Sequence, residues 1–148
     1  MLLHPYCNRC RDQLAGKWLG HPKYSIAADT FFGSLHQRCK ANAASRGIVY
    51  AIRKDDIIGL WVEQDGKCAL SGIEMMLEVG RGVRNDTACS VDRLNSTGPY
   101  VTGNVHLVCG IVNIMKNDLS YSRFVALCEK IVRHQADKVE ELQRGLTL

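Results

Sequence analysis

The sequence predicts an α+β fold in which a small strand–strand–helix unit is flanked by helices. Two short extended segments, at 89–94 and 104–109, enclose a stretch rich in Asn, Ser, Thr, Gly and Pro, which is typical of turns. Apolar residues recur at helical spacing before and after this unit. We therefore divide the chain into a basic head with its helix at 1–53, a core at 54–118 and a C-terminal helix packed on that core at 119–148.

Two helices are expected ahead of the strands. Thr30 can cap the first, and Gly47 is expected to end it. Its apolar positions recur every four residues: Phe31, Leu35, Cys39 and Ala43. The second begins near Lys54 with acidic residues in its first turn, and ends at Asp65-Gly66. Its apolar stripe comprises Ile57, Ile58, Leu60, Trp61 and Val62.

Two further helices are expected after the strands. One follows Gly110 and is expected to cover the core with Ile111, Ile114 and Met115. The last is amphipathic and extends from about 122 to 145. Its inward residues are expected to be Phe124, Leu127, Cys128, Ile131 and Val132.

Composition restricts the class of protein. The 148 residues contain no run of eighteen apolar positions, so no membrane span is expected, and the first residues lack the pattern of a secretory signal. Seven cysteines are an odd number for disulfide pairing. We therefore expect a reduced, cytoplasmic protein in which some cysteines bind metal and others are small core residues.

The charge is distributed unevenly. Residues 1–54 carry nine Lys or Arg against two acidic residues, whereas the chain as a whole has a net charge of +4. A basic first third predicts a surface that binds a polyanion, of which nucleic acid is the usual case. The candidate DNA contacts are Arg38, Lys40, Arg46, Arg53, Lys54 and Lys116.

The head carries a pattern typical of zinc ligands. Cys7 and Cys10 form a C-x2-C pair, and 25 residues further on His36 and Cys39 form a second pair. Two such pairs supply a tetrahedral Cys3His site. The long gap leaves His4 or His21 open as a substitute for His36. Cys68 and Cys109 have no such companions, because Ser71 and Val112 occupy the positions three residues on, so we interpret them as buried thiols.

The strand–loop–strand–helix segment brings polar residues to one surface. Alternation along a strand places Ser90 and Asp92 on the face opposite Val91, and His106 on the face opposite Val105 and Leu107. On the following helix, Asn113 and Lys116 share a side. The oxygen ligands of Asp92 and Asn113 suit Mg2+ or Mn2+, with water and substrate phosphate in the remaining positions.

Over about 57–118 the chain resembles the HNH nucleases, which have the ββα-metal fold. The resemblance includes the segment from Trp61 to Cys68, which leads into the strand–strand–helix unit. It is strongest to a subgroup of phage and bacterial endonucleases and restriction enzymes that has Asp-Arg, a Gly-Tyr loop, Asn-Val-x-Leu-x-Cys and Asn-x-x-Lys. Small zinc-containing dimers that open with C-x2-C belong to this subgroup. Here Pro99 occupies a position at which the subgroup has glycine.

The resemblance implies a role for each matching residue. Asp92 and Asn113 would hold the divalent ion, and Asn104 would tie the loop to the strand. Arg93 stands at the position of the usual catalytic histidine and would neutralise charge on the phosphate. The loop tyrosine that activates water in this subgroup corresponds to Tyr100. His106 stays open as an alternative base, since imidazole titrates near neutral pH.

These roles imply a metal-dependent DNA endonuclease that hydrolyses phosphodiester bonds. A homodimer would permit cuts in both strands, whereas a monomer would nick one. The alternative function is a non-catalytic zinc-containing protein that binds DNA and regulates, with a degenerate HNH core. The arginine at position 93 favours this alternative, and the Asp92/Asn113 pair opposes it.

Overall fold

The computed structural model describes residues 26–77, 85–136 and 138, and its first element is helix α1, Ile26–Ser45. The predicted apolar spacing is confirmed, because Phe31, Leu35 and Ala43 are buried and Cys39 packs against the core. The helix begins four residues earlier than Thr30, as Ala28 belongs to the same buried face. It ends just before Gly47, whose φ of +64° favours glycine.

Helix α2, Lys54–Glu63, follows a short extended connection. At its start the backbone N–H of Arg53 donates to the carboxylate of Asp56 at 2.7 Å. This bond satisfies a backbone N–H that has no acceptor within the helix. Ile57, Ile58 and Trp61 are buried, as predicted. The Trp61 ring packs on Phe32 of α1 with 5.6 Å between ring centroids, so the two helices share a core.

Two antiparallel strands form the sheet: β1, Cys89–Arg93, and β2, Val105–Cys109. Both lie within one residue of the predicted limits. In their register Val91 opposes Leu107 and Asp92 opposes His106. The apolar pair therefore faces one side of the sheet, and the polar pair faces the other.

The end of α2 is joined to β2 by one glutamine side chain. The amide of Gln64 donates to the carbonyl oxygen of Leu107 at 2.8 Å and accepts from the Leu107 N–H at 2.9 Å. This side chain thus pairs with one residue of β2 as a neighbouring strand would. It holds the sheet in a fixed position against α2.

Helix α3, Gly110–Lys116, follows β2 directly, and its buried face differs from the predicted one. Val112 and Lys116 are buried, whereas Ile114 and Met115 are more than half exposed. Val112 and Lys116 are four residues apart and therefore share a face. Of the three residues expected to cover the core, Ile111 packs against it. The expected burial of Ile114 and Met115 is wrong, because Lys116 takes the buried position on this helix.

Helix α4, Tyr121–His134, begins at Ser120, whose hydroxyl oxygen accepts from the Arg123 N–H. Of its expected inward residues, Phe124 is buried and Cys128 is partly buried. The expected burial of the others is wrong, because Leu127, Ile131 and Val132 are between 46% and 59% exposed. The helix therefore contacts the core near its first turns only.

One hydrophobic core contains residues of all four described helices and both strands. The division at 1–53, 54–118 and 119–148 stays a prediction. Within the described part of the chain, no helix has the length and apolar character needed to cross a membrane.

Candidate active site

A cleft of about 720 Å³ lies between the end of α1, strand β1, the loop after it and helix α3. Of the predicted site residues, Asp92, Arg93, Tyr100, Asn113, Arg46 and Cys39 line this cleft. His106 and Lys116 contact Asp92 but are not among the lining residues. The structure therefore brings most of the predicted catalytic and metal-binding side chains to one place.

Asp92 is held by two side chains of the protein's own interior. One carboxylate oxygen lies 2.8 Å from Nε2 of His106, and the other lies 3.1 Å from Nζ of Lys116. All three residues are buried. The partnership with His106 follows from the strand register, which places the two residues opposite each other.

Lys116 has no exposed surface, and its ammonium group has three acceptors. Besides Asp92 it donates to the carbonyl oxygen of Arg93 at 2.9 Å and to the hydroxyl of Ser96 at 3.0 Å. These acceptors use all three N–H groups. The expected contact of Lys116 with DNA is therefore corrected: this side chain holds Asp92 and the start of the loop from inside.

The loop between the strands is closed by Asn104. Its side-chain oxygen accepts from the Asn95 N–H at 2.9 Å, and its nitrogen donates to the carbonyl oxygens of Asn95 and Pro99 at 3.2 and 2.8 Å. A Cβ atom at Gly98 would approach the Asn104 nitrogen to 2.9 Å, so a larger residue there would force the Asn104 amide to shift. These bonds are of the kind that the resemblance implies for Asn104.

The loop places Tyr100 between two arginines. The guanidinium carbon of Arg93 lies 4.9 Å from the centroid of the Tyr100 ring, and a nitrogen of Arg46 donates to its hydroxyl at 3.0 Å. Arg93 also donates to the carbonyl oxygen of Gly98. The phenol oxygen is therefore positioned within a positively charged wall of the cleft.

Asn113 projects from α3 toward β1. Its side-chain nitrogen donates to the hydroxyl of Ser90 at 2.7 Å. The sequence interpretation placed Ser90 on the face of Asp92 but gave it no function. Strand alternation was the signal that could have identified it, since Ser90 and Asp92 are two residues apart.

The two described members of the expected zinc site have different neighbours. Nε2 of His36 lies 3.2 Å from the carbonyl oxygen of Ile52, and its ring packs on Tyr50. Cys39 lines the cleft, and burial raises the pKa of its thiol. Cys7 and Cys10, with the alternatives His4 and His21, lie outside the described residues, so the zinc site stays a prediction.

The second cysteine pair is buried, as expected. Burial raises the pKa of the Cys109 thiol, and the neighbouring thiol of Cys68 adds to this rise. The hydroxyl of Ser71 lies 3.9 Å from the Cys109 sulfur. Among the described residues, no three His, Cys, Asp or Glu side chains group as a metal site.

The other expected DNA contacts have varied surroundings. Arg38 and Lys40 are exposed on α1. Arg53 lies 3.4 Å from a carboxylate oxygen of Asp56, and Lys54 donates to Asp29 at 2.7 Å. The partners of these two cations are thus residues of the same chain. Their expected roles in DNA binding stay predictions.

Comparison with solved structures shows a likeness of fold to an HNH restriction endonuclease. The chain is similar to a solved structure of the rare-cutting HNH restriction endonuclease PacI, described together with its perturbation of DNA. The TM-score is 0.56 and the identity 21%, over 80% of this chain and 95% of PacI. No family model matches the chain. No curated protein matches it significantly. The likeness therefore concerns the fold.

Proposed function

We propose that this protein is a divalent-metal-dependent DNA endonuclease that hydrolyses phosphodiester bonds. The observation that carries the proposal is the single cleft whose wall contains Asp92, Asn113, Arg93 and Tyr100. A carboxylate and an amide supply hard oxygen ligands there, and an arginine and a tyrosine supply a cation and a proton acceptor. The fold likeness to an HNH restriction endonuclease supports the same reaction class.

Asp92 and Asn113 would hold the ion, and their donor atoms fit Mg2+ or Mn2+. A carboxylate has about four acceptor positions. His106 and Lys116 approach one oxygen each, so acceptor capacity remains toward the cleft. Bound there, such an ion would act as a Lewis acid on the phosphate.

Tyr100 is the favoured general base. It lines the cleft, whereas His106 is buried behind Asp92 with Nε2 directed at that carboxylate. Deprotonated Tyr100 would accept a proton from the attacking water, and the guanidinium of Arg46 would stabilise negative charge on the phenol oxygen. Arg93, over the ring, would neutralise charge on the phosphate as the 3′ oxygen departs.

The residues around the cleft are proposed to bind structural zinc and to contact DNA. Zinc bound by Cys7, Cys10, His36 and Cys39 would fix the head to α1. The exposed cations Arg38 and Lys40 of that helix would contact the phosphate backbone, which makes the affinity for DNA dependent on salt. Zinc emission spectroscopy of the protein and of Cys10→Ala tests this, because the variant should lose one equivalent of zinc.

Plasmid nicking tests the proposed activity. Purified protein is incubated with supercoiled DNA in Mg2+ or Mn2+, with EDTA as the control, beside Asn113→Ala and Asn42→Ala. Asn42 lines the same cleft from α1, so it is a matched control. Metal-dependent cleavage should disappear in Asn113→Ala and persist in Asn42→Ala.

Two outcomes would contradict the proposal. Equal nicking by Asn113→Ala would remove the metal-ligand assignment. DNA binding without cleavage of any DNA form would support the non-catalytic DNA-binding module instead.

A further inference from the structure

We propose that Ser90 is a positioning residue that turns the amide oxygen of Asn113 toward the metal, an inference that rests on the proposed function. The side-chain nitrogen of Asn113 donates to the Ser90 hydroxyl at 2.7 Å. Both residues are partly buried and both line the cleft. Ser90 itself is not required as a ligand. Its role is to fix which end of the amide faces the ion.

The fold dictates this contact. Ser90 and Asp92 are alternate residues of β1, so their side chains leave the same face of the sheet. Helix α3 follows β2 without a loop, and it packs against β1 as well as β2. Asn113 lies on α3, the helix that continues from β2, and its side chain contacts β1. Ser90 and Asp92 together form the strand-borne side of the site.

The chemistry of an amide explains why a hydroxyl is needed. The oxygen of an asparagine side chain can bind a cation, whereas its NH2 group is a donor and cannot. The two ends have nearly the same shape, and rotation about χ2 exchanges them. A hydroxyl that accepts from the nitrogen keeps the oxygen at the opposite end. Partners that orient metal ligands in this way typically contribute about tenfold to hundredfold in metal affinity.

Mn2+ binding measured without DNA tests the role directly. The free ion is followed by electron paramagnetic resonance as it is titrated into wild type, Ser90→Ala, Ser90→Thr, Ser45→Ala and Asn113→Ala. Ser90→Ala should bind Mn2+ at least about tenfold more weakly. Ser90→Thr keeps the hydroxyl at a strand position that suits a β-branched residue, so its affinity should stay near that of wild type.

Ser45 supplies the matched control. It lines the same cleft, but its hydroxyl donates to the carbonyl oxygen of Asn42 within α1, at 3.0 Å. Ser45→Ala should therefore bind Mn2+ as wild type does. Thermal melting of each variant separates a loss of folding from a loss of binding. A lower melting temperature in Ser90→Ala with unchanged Mn2+ affinity would overturn the positioning role.

Failure of this inference is distinguishable from failure of the proposed function. If Asn113→Ala loses Mn2+ and Ser90→Ala does not, the role of Ser90 is overturned and the metal assignment stands. If neither substitution changes the affinity, the assignment of Asn113 fails and the inference fails with it. In plasmid nicking, Ser90→Ala should raise the half-saturating Mn2+ concentration and recover its rate at saturating Mn2+.

Discussion

A guanidinium nitrogen of Arg46 donates a hydrogen bond of 3.0 Å to the hydroxyl of Tyr100, 54 positions further along the chain. The arginine is held at its other side, because its Nε donates to the carbonyl oxygen of Asn42 in the last turn of α1. Tyr100 is only 7% exposed. The turn that follows α1 thus contributes a cation to the site that the strand–strand–helix unit forms.

Arg46→Ala should lower the cleavage rate by about a hundredfold, as expected when one donor to a developing negative charge is removed. Its affinity for DNA should change no more than that of Arg38→Ala, which removes an exposed cation from α1, the helix just before Arg46. Single-turnover cleavage and fluorescence anisotropy at one salt concentration measure the two quantities. If both variants lose affinity equally and keep their rates, Arg46 is a phosphate contact only.

Tyr100→Phe should reduce the cleavage rate far more than His106→Ala does. The first change removes the proton acceptor in the cleft, whereas the second removes a buried partner of Asp92. His106→Ala should instead lower the free energy of unfolding by about 1–3 kcal/mol, because a buried acceptor loses its bond. Cleavage rates and urea denaturation of both variants measure this. The opposite order of rates would move the base to His106.

Lys116→Met should destabilise the fold by about 3–5 kcal/mol, because it leaves the buried carboxylate of Asp92 without its ammonium partner. Lys67→Met is the control. Lys67 is half exposed and lies 3.6 Å from Asp65, and such surface pairs contribute about 0–1 kcal/mol. Urea denaturation of the two variants should separate them clearly. Similar stabilities would mean that the interior tolerates Asp92 without this lysine.

Stability should fall as the pH rises above about 9, the ordinary value for a cysteine thiol. Burial is the main cause that raises the pKa of Cys89, so the thiol stays protonated in the folded state and ionises in the unfolded one. Its contribution is complete below pH 9 and is lost as the pH rises. Cys89→Ala should flatten this alkaline loss, measured by urea denaturation between pH 8 and 11. Parallel curves for wild type and this variant would contradict the assignment.

The sequence predicted the order of the elements because each has a local signal. The spacing of Phe31 and Leu35, the turn residues before Asn104 and the alternation around Asp92 all depend on near neighbours. Alternation also predicted that Asp92 and His106 would each lie on the polar face. Predicting their direct contact would have required the strand register, in which Asp92 lies directly opposite His106.

Other features depend on tertiary contacts that no local pattern encodes. An apolar stripe was assumed to define the buried face of α3. Instead Lys116, paired with the buried carboxylate of Asp92, occupies that face, and Ile114 is exposed. The bond between Arg46 and Tyr100 joins the turn that follows α1 to a distant loop. A charge count identified Arg46 as a cation and could not distinguish a contact to DNA from a contact within the site.

The register of the two strands links the site to the core. Val91 and Leu107 oppose each other in the core, and the next pair along is Asp92 with His106. A slip of one residue would turn the side chains of one strand to the other face, exposing Val91 and burying Asp92 among apolar groups. The packing that buries Val91 therefore opposes a one-residue slip, which would also separate Asp92 from His106. Folded copies of the site that are misaligned by one residue are thereby disfavoured, so the fraction of competent molecules should follow the fraction folded.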